Sequence, residues 1–282
     1  MSDRVAEATI AGLLARGAAA LASTSESARL DAEVLLAHVL GHDRSRLILD
    51  SKAQVQDEAL ARFDRLIDRR AAGEPVAYLV GRRAFRTLEL GVDSRVLIPR
   101  PETEELVEVA VELLPAGASV LDVGTGSGAI ALALAAERPD LSIRGLDISA
   151  DAVAAAAANA AALGLEIEFA VGDLLDASPP VDAVVANLPY VESAAELPVD
   201  VAGFEPALAL FGGEDGLEVI RRLAAQLSTR EWPAWTLLEI GETQGPAVAR
   251  LLRDAGFARV EVRRDLSGRE RMVVACREET NR

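Results

Sequence analysis

Residues 120–134 read Val-Leu-Asp-Val-Gly-Thr-Gly-Ser-Gly-Ala-Ile-Ala-Leu-Ala-Leu, and the rest of the chain is organised around this stretch. The apolar run Val120–Val123 predicts a buried strand, Gly124–Gly128 a tight turn, and the residues through Leu134 a helix. Glycines let backbone amides approach a ligand closely, and the following helix directs its positive end at that ligand. This combination is typical of an adenosine-containing cofactor site. With Ala129 in the last place, the turn fits G-x-G-x-x-G/A, so S-adenosylmethionine and NAD both remain candidates.

Strand and helix patterns alternate along the chain after this turn. The predicted strands are Val120–Val123, Ser142–Leu146, Ile167–Val171, Val181–Ala186, Thr236–Ile240, Val260–Arg263 and Met272–Cys276. We expect the last two to form a hairpin. The alternation predicts an α/β fold with a seven-stranded, mostly parallel, doubly wound (Rossmann-like) sheet. Ligands of such sheets bind beyond the carboxyl ends of the strands.

The chain before the sheet divides into two further parts. Residues 1–74 carry apolar residues at helical spacing and predict a small helical domain. Residues 75–99 contain the β-like pieces Val76–Val80, Ala84–Leu90 and Val96–Ile98, which predict a β-hairpin linker. The third predicted part, residues 100–282, is the cofactor-binding domain.

Composition excludes several classes of function. The net charge of −16 argues against nucleic acid as a direct partner, because phosphate binding needs clustered Lys and Arg. The single Cys276 excludes an internal disulfide, and the two histidines and one cysteine form no metal-ligand pattern. The first residues lack the features of a signal peptide, and no apolar run is long enough to span a bilayer. We therefore expect a cytoplasmic protein with no metal and no membrane partner.

Acidic residues follow two of the predicted strands at the edge where the cofactor should bind. Asp147 comes after the second strand, at the place where a carboxylate holds two ribose hydroxyls. The alternative is that Asp147 only caps the next helix. Asp173 and Leu174 follow the third strand and could contact the amino group and the face of an adenine.

The segment Asn187-Leu188-Pro189-Tyr190 follows the fourth strand and favours a transferase that alkylates a planar NH₂ group. The side-chain oxygen of Asn187 and the backbone carbonyl of Leu188 can each accept one hydrogen of that group. Tyr190 offers an aromatic face, and Pro189 makes the turn rigid. Such contacts orient a poor nitrogen nucleophile for in-line displacement. The alternative is a structural Asn-x-Pro turn.

Five motifs together carry a resemblance to a known family. They are residues 97–104 (Leu-Ile-Pro-Arg-Pro-Glu-Thr-Glu), residues 122–130, Asn187-x-Pro-Tyr, Phe204-Glu-Pro-x-x-Ala-Leu and Arg264-Asp-Leu-Ser-Gly-Arg-x-Arg. Over nearly its whole length the chain resembles the peptide chain release factor glutamine N5-methyltransferases, which are class I S-adenosylmethionine-dependent methyltransferases.

The resemblance implies methylation of the glutamine in the Gly-Gly-Gln motif of release factors. We expect the helical domain to contribute to docking that protein substrate, because a glutamine side chain alone offers too little surface for selection. The resemblance also implies that the cofactor is held by Gly124, Thr125, Gly126, Ser127, Gly128 and Asp147, with Leu174 at the adenine. We expect Asp173 and Asn187 to belong to the same cofactor site. The resemblance further implies that Asn187, Leu188, Pro189 and Tyr190 bind the substrate, with Asn187, Pro189 and Tyr190 as the catalytic residues.

One position departs from the family pattern. The family usually has Asn-Pro-Pro-Tyr, and here the second residue is Leu188. The motif Asn-Leu-Pro-Tyr resembles the one in enzymes similar to the ribosomal RNA adenine N6-dimethyltransferases. The alternative function is therefore N6-adenine methylation of RNA. A non-catalytic or NAD-binding Rossmann-like module is a third.

Overall fold

The structure is a computed structural model that describes residues 8–176 and 178–277, and these form two compact units. One unit comprises the chain up to Gly81 together with Leu197–Phe204. The other comprises Arg82–Glu196 and the chain from Glu205 onward. The segment at 82–91, within the stretch interpreted as a linker, belongs to this second unit.

The first unit is helical, as its periodicity predicts. Its helices are α1 (Ile10–Leu21), α2 (Ala28–Leu40), α3 (Arg44–Leu49), α4 (Asp57–Ala71), α5 (Val76–Val80) and α9 (Val199–Ala202). Thr9 caps α1 by accepting a 3.1 Å hydrogen bond from the Gly12 amide. Leu13, Leu35 and Phe63 are fully buried in the core of this unit. The residue at Gly17 must be small, because an added Cβ would lie 2.8 Å from the Phe63 ring.

The prediction of β-structure is wrong for two segments before the sheet. Val76–Val80 is a helix, which Pro75 precedes and Gly81 ends in the left-handed conformation. A short apolar run does not distinguish a strand from a buried helical turn, and here the flanking residues favour the helix. Val96–Ile98 is not a strand, and the Ile98 amide donates to the Glu205 carboxylate.

The expected hairpin forms around the second piece, Ala84–Leu90. Strands β1 (Arg82–Phe85) and β2 (Leu88–Gly91) pair antiparallel. Arg86 has a φ of 50° and lies in the turn between the two strands. The segment interpreted as one β-piece is therefore a complete hairpin.

The second unit contains the predicted seven-stranded sheet. Its strands are β3 (Ser119–Val123), β4 (Ser142–Asp147), β5 (Glu168–Val171), β6 (Ala183–Ala186), β7 (Trp235–Glu239), β8 (Arg259–Arg264) and β9 (Glu270–Cys276), in the spatial order β5-β4-β3-β6-β7-β9-β8. All pairs are parallel except those of β9, which runs antiparallel to both β7 and β8. The α/β class, the strand number and the terminal hairpin are thus confirmed.

Helices cover both faces of this sheet. They are α6 (Pro101–Leu113), α7 (Ala129–Glu137), α8 (Ala150–Leu163), α10 (Ala207–Leu210), α11 (Glu218–Ser228) and α12 (Gly245–Asp254). Successive residues of β6 serve different cores: Val184 packs with residues of α11 and α12, and Val185 packs with residues of α6 and α7. In the described part of the chain, no helix has the length and apolar character required to cross a bilayer.

Candidate active site

The strand order reverses between β3 and β6, and the candidate site lies there. The chain runs outward from β3 through β4 to β5 and then returns to β6 on the other side of β3. Val123 is paired with Ala186, so Gly124 and Asn187 leave the sheet side by side. The carboxyl ends of the strands at such a switch point form the usual ligand crevice of this architecture. A cavity of about 180 Å³ lies at this point.

The cavity brings together most of the residues that the sequence singles out. Its wall includes Gly124, Thr125, Gly126, Ser127, Asp147, Asp173, Leu174, Asn187, Leu188 and Pro189. Gly128 and Tyr190 are outside this wall. Gly128 begins α7 with a φ of 81°, and an added Cβ would lie 2.9 Å from Leu132 and 3.2 Å from the Ala156 Cβ. Gly128 thus allows α7 and α8 to approach each other, a role in packing.

Hydrogen bonds from neighbouring strands hold the glycine turn in place. The amides of Gly124 and Thr125 donate to the Leu146 carbonyl at 2.8 and 2.9 Å. The Thr125 hydroxyl donates at 2.7 Å to Asp122, which is fully buried and also accepts from the Ala131 amide. Burial raises the pKa of Asp122 to about 7. These hydrogen bonds connect the turn to β4 and, through Asp122, to α7.

Asp147 holds the turn and faces the cavity. One carboxylate oxygen accepts from the Gly126 amide and the other from the Ser149 amide, each at 2.9 Å. Ser149 itself caps α8 by accepting from the Ala152 amide, so the residue that caps this helix is not Asp147. Burial raises the pKa of Asp147, and backbone hydrogen bonds from Ser149, Gly126 and Ile148 oppose that shift. A carboxylate has about four acceptor positions, so this one can still accept from a ligand hydroxyl.

Asp173 and Leu174 lie at the next strand end. Asp173 forms an ion pair with Arg222 of α11, and both side chains line the cavity. Leu174 is buried and has a φ of 56°, an unusual conformation for a branched apolar residue. The ion pair uses the Oδ2 oxygen of Asp173.

The segment after β6 is anchored through its polar side chains. The Asn187 Nδ2 donates at 3.0 Å to the hydroxyl oxygen of Thr103, and Thr103 donates at 2.6 Å to Glu239. The Tyr190 hydroxyl donates at 3.2 Å to the other oxygen of Glu239. Burial and the nearby Glu239 charge raise the pKa of Tyr190 well above its usual value. The side chain of Leu188 is buried, and an added Cβ at Gly124 would lie 3.2 Å from it.

Sequence comparison with known proteins identifies the family to which this chain belongs. Release factor glutamine methyltransferase of Neisseria gonorrhoeae is 42% identical over 256 residues, spanning 89% of this chain and 94% of the relative. The chain belongs to the release factor glutamine methyltransferase family. The family member of Mycolicibacterium smegmatis is 41% identical over 278 residues, spanning 96% of each chain.

Other comparisons agree with membership in the release factor glutamine methyltransferase family. Sequence profiles match the PrmC N-terminal domain at residues 12–81 and the methyltransferase small domain at residues 103–203. A crystal structure of a methyltransferase from Pyrococcus furiosus shares the fold with a TM-score of 0.54 at 13% identity, covering 75% of this chain and 98% of that one.

Sequence reasoning assigns no role to three acidic residues of this release factor glutamine methyltransferase family member, although two of them, Asp122 and Glu205, stand in the quoted motifs. Glu205 is buried, accepts from the Ile98 amide at 3.0 Å and binds Arg100, so it ties two segments that line the cavity. Asp122 supports the glycine turn from below. Glu239 ends β7, and its strand-end position was a usable signal, but the predicted strand extended through residue 240 and concealed it. The described residues contain no cluster of His, Cys, Asp and Glu side chains suited to a metal ion.

Proposed function

We propose that this protein transfers a methyl group from S-adenosylmethionine to the side-chain amide nitrogen of the glutamine in the Gly-Gly-Gln motif of peptide chain release factors. The observation that carries the proposal is the position of Asn187. Its side chain lines the cavity beside the glycine turn, and its Nδ2 is occupied by Thr103. Its Oδ1 therefore remains to accept a hydrogen from a substrate amide. Family membership favours glutamine over the adenine alternative.

The residues at the switch point fit the proposed cofactor. Gly124 and Gly126 both have positive φ and leave the cavity wall without side chains, so backbone can approach a ligand. Asp147 presents a partly buried carboxylate suited to two ribose hydroxyls. Leu174, and Asp173 within its ion pair, would border the adenine. When bound, this cofactor supplies an electrophilic methyl group on a cationic sulfonium.

The chain's own contribution to the reaction is orientation of a weak nucleophile. The lone pair of an amide nitrogen is delocalised, so its direction and distance must be imposed. We assign one NH₂ hydrogen to the Asn187 Oδ1 and the other to the Leu188 carbonyl, with Pro189 restricting the backbone between them and Tyr190. We further assign the Tyr190 ring to the face of the amide plane, where its bond to Glu239 fixes it.

The helical unit is the proposed docking element for the protein substrate. A single glutamine side chain offers too little surface for selection of one protein among many. Ile48 and Leu49 are neighbours on α3 and are 76% and 83% exposed, which is unusual for large apolar side chains. A net charge of −16 disfavours nucleic acid as the alternative partner. A translation factor as substrate implies a cytoplasmic site of action.

Mass spectrometry of the substrate tests this function. Purified release factor is incubated with the protein and S-adenosylmethionine, and its peptides are compared with those of a release factor carrying alanine in place of the glutamine. We expect a gain of about 14 Da, the mass of one CH₂ unit, on the glutamine alone. Methylation of adenine in RNA with no transfer to release factor would overturn the proposal.

A further inference from the structure

Thr103 lies between the candidate substrate residue and a buried carboxylate. It is in the first turn of α6, and its side chain is almost entirely buried. Its hydroxyl donates at 2.6 Å to the Glu239 Oε2 and accepts at 3.0 Å from the Asn187 Nδ2. A threonine hydroxyl has a single hydrogen, so it can donate to only one of its two partners and must accept from the other.

Glu239 determines that direction. Its side chain is 1% exposed, and among the described residues its hydrogen-bond partners are the hydroxyls of Thr103 and Tyr190. The nearby cation of Arg271 is paired with Asp265 at 3.4 Å and forms no ion pair with Glu239. Burial raises the pKa of Glu239 to about 7, and above that pH its ionised carboxylate can only accept. Under those conditions both hydroxyl hydrogens point toward Glu239.

The direction of the Thr103 hydroxyl fixes the orientation of the Asn187 amide. Because the Thr103 hydrogen is taken by Glu239, its oxygen offers Asn187 only lone pairs, and the NH₂ end of Asn187 must face it. In the described part of the chain, Asn187 Oδ1 accepts no hydrogen bond. A flipped amide would place its oxygen against the Thr103 oxygen and lose a partly buried hydrogen bond.

We propose that Thr103 and Glu239 are positioning residues that hold Asn187 with its oxygen, and not its NH₂ group, toward the substrate nitrogen. The inference rests on the proposed function, since it requires a substrate that donates hydrogens. It also gives a role to Thr103 within the motif at residues 97–104. The proposed cofactor and substrate contacts do not involve this residue. Neither residue need touch the reacting atoms.

A double-mutant cycle between Thr103 and Asn187 tests the inference. Thr103→Val removes the hydroxyl at nearly constant volume. At pH 8, we expect it to lower kcat for release factor by about tenfold or more, with small changes in KM and in S-adenosylmethionine affinity. In the Asn187→Ala background the same change should lower kcat by less than about threefold, because residues of one hydrogen-bond network couple. Thr103→Ser should restore most of the activity.

The control is Thr236→Val. Thr236 is a fully buried threonine on β7, and its hydroxyl has no hydrogen-bond partner among the described residues. Its replacement should leave kcat unchanged. If Thr103→Val does not fold, Thr103→Ala replaces it in the cycle, since it removes the hydroxyl without adding volume.

Two outcomes overturn the positioning role. Equal losses from Thr103→Val in both backgrounds would show that Thr103 acts independently of Asn187. An unchanged kcat in the folded single variant would show that the hydroxyl is dispensable. A wild-type enzyme that does not methylate release factor in the same assay would instead refute the proposed function, so the two failures are distinguishable.

Discussion

The hydroxyl of Thr103 and the carboxylate of Glu239 are joined by a 2.6 Å hydrogen bond across 136 residues of sequence. The bond links the start of α6 to the end of β7, two strands away from the glycine turn. It lies directly behind Asn187, which bonds to the same hydroxyl. The back wall of the candidate site is therefore a buried polar network, and such networks are sensitive to the loss of any member.

Asn187→Ala should lower turnover of release factor by roughly 100-fold or more, the range for loss of one positioned polar group. The side chain lines the cavity, and its Nδ2 donates to Thr103 and not to the glycine turn. Cofactor affinity, measured by calorimetry, should change much less. A parallel fall of both quantities would assign Asn187 to the cofactor or to the fold.

Asp147→Ala should weaken S-adenosylmethionine binding by roughly 1.5–3 kcal/mol, as expected for hydrogen bonds to a charged group. Asp151, an exposed acidic residue in the first turn of α8, supplies the matched control Asp151→Ala. Calorimetry on both folded variants gives the comparison. Equal affinities for the Asp147 variant and the wild type would remove this carboxylate from the cofactor site.

The pH dependence of kcat should report the ionisation of Glu239. Burial raises its pKa to about 7, with Glu102 adding to the shift and Arg271 and the hydroxyls of Thr103 and Tyr190 opposing it. Above that pH the ionised carboxylate accepts the Thr103 hydrogen; below it the protonated acid can donate to Thr103 and reverse the bond. We therefore expect kcat to fall as pH decreases through about 7.

Glu239→Gln provides the control for this pH profile, since glutamine keeps an acceptor for Thr103 but does not titrate. The fall in kcat near pH 7 should be absent or much reduced in this variant. Asp122 also has a pKa raised to about 7 by burial. A profile that is unchanged in Glu239→Gln would assign the titration to another group such as Asp122.

The exposed apolar residues of α3 should matter for the protein substrate. Replacing Ile48 and Leu49 with serine removes two large apolar side chains from the surface. We expect the KM for intact release factor to rise severalfold while kcat and cofactor affinity stay near wild type, because uniform binding is lost. Leu30→Ser, at a residue 41% exposed on α2, is the control. An unchanged KM would exclude α3 from docking.

Glu205→Gln should destabilise the protein by about 1.5–3 kcal/mol, the range for hydrogen bonds to charged groups. The variant keeps an acceptor for the Ile98 amide but loses the charge opposite Arg100. Urea unfolding measures the change. Glu214→Gln, at an exposed position, should change stability by no more than about 0.5 kcal/mol. Similar stabilities of the two variants would contradict a structural role for Glu205.

Much of the fold and the candidate site follows from local sequence. The run at 120–134 predicts the strand, the turn and the helix that the structure contains. Five of the seven predicted strands adjoin a glycine, a proline or an acidic residue, which marks where they end. The last two, Val260–Arg263 and Met272–Cys276, are flanked by arginines and are evident from their apolar residues. Parallel strands carry the residues at their carboxyl ends to one edge of the sheet, so the sequence alone predicts that Asp147 and Asn187 lie close together.

Long-range partnerships were decided only by the tertiary structure. Nothing in the local pattern joins Thr103 to Glu239 or Glu205 to Ile98, because those bonds depend on strand order and on which loops meet above the sheet. The conformation of Val76–Val80 was equally undetermined, since a five-residue apolar run fits a strand or a helical turn and its flanking residues decide. Sequence periodicity specifies which residues are buried; the packed fold specifies which buried polar groups meet.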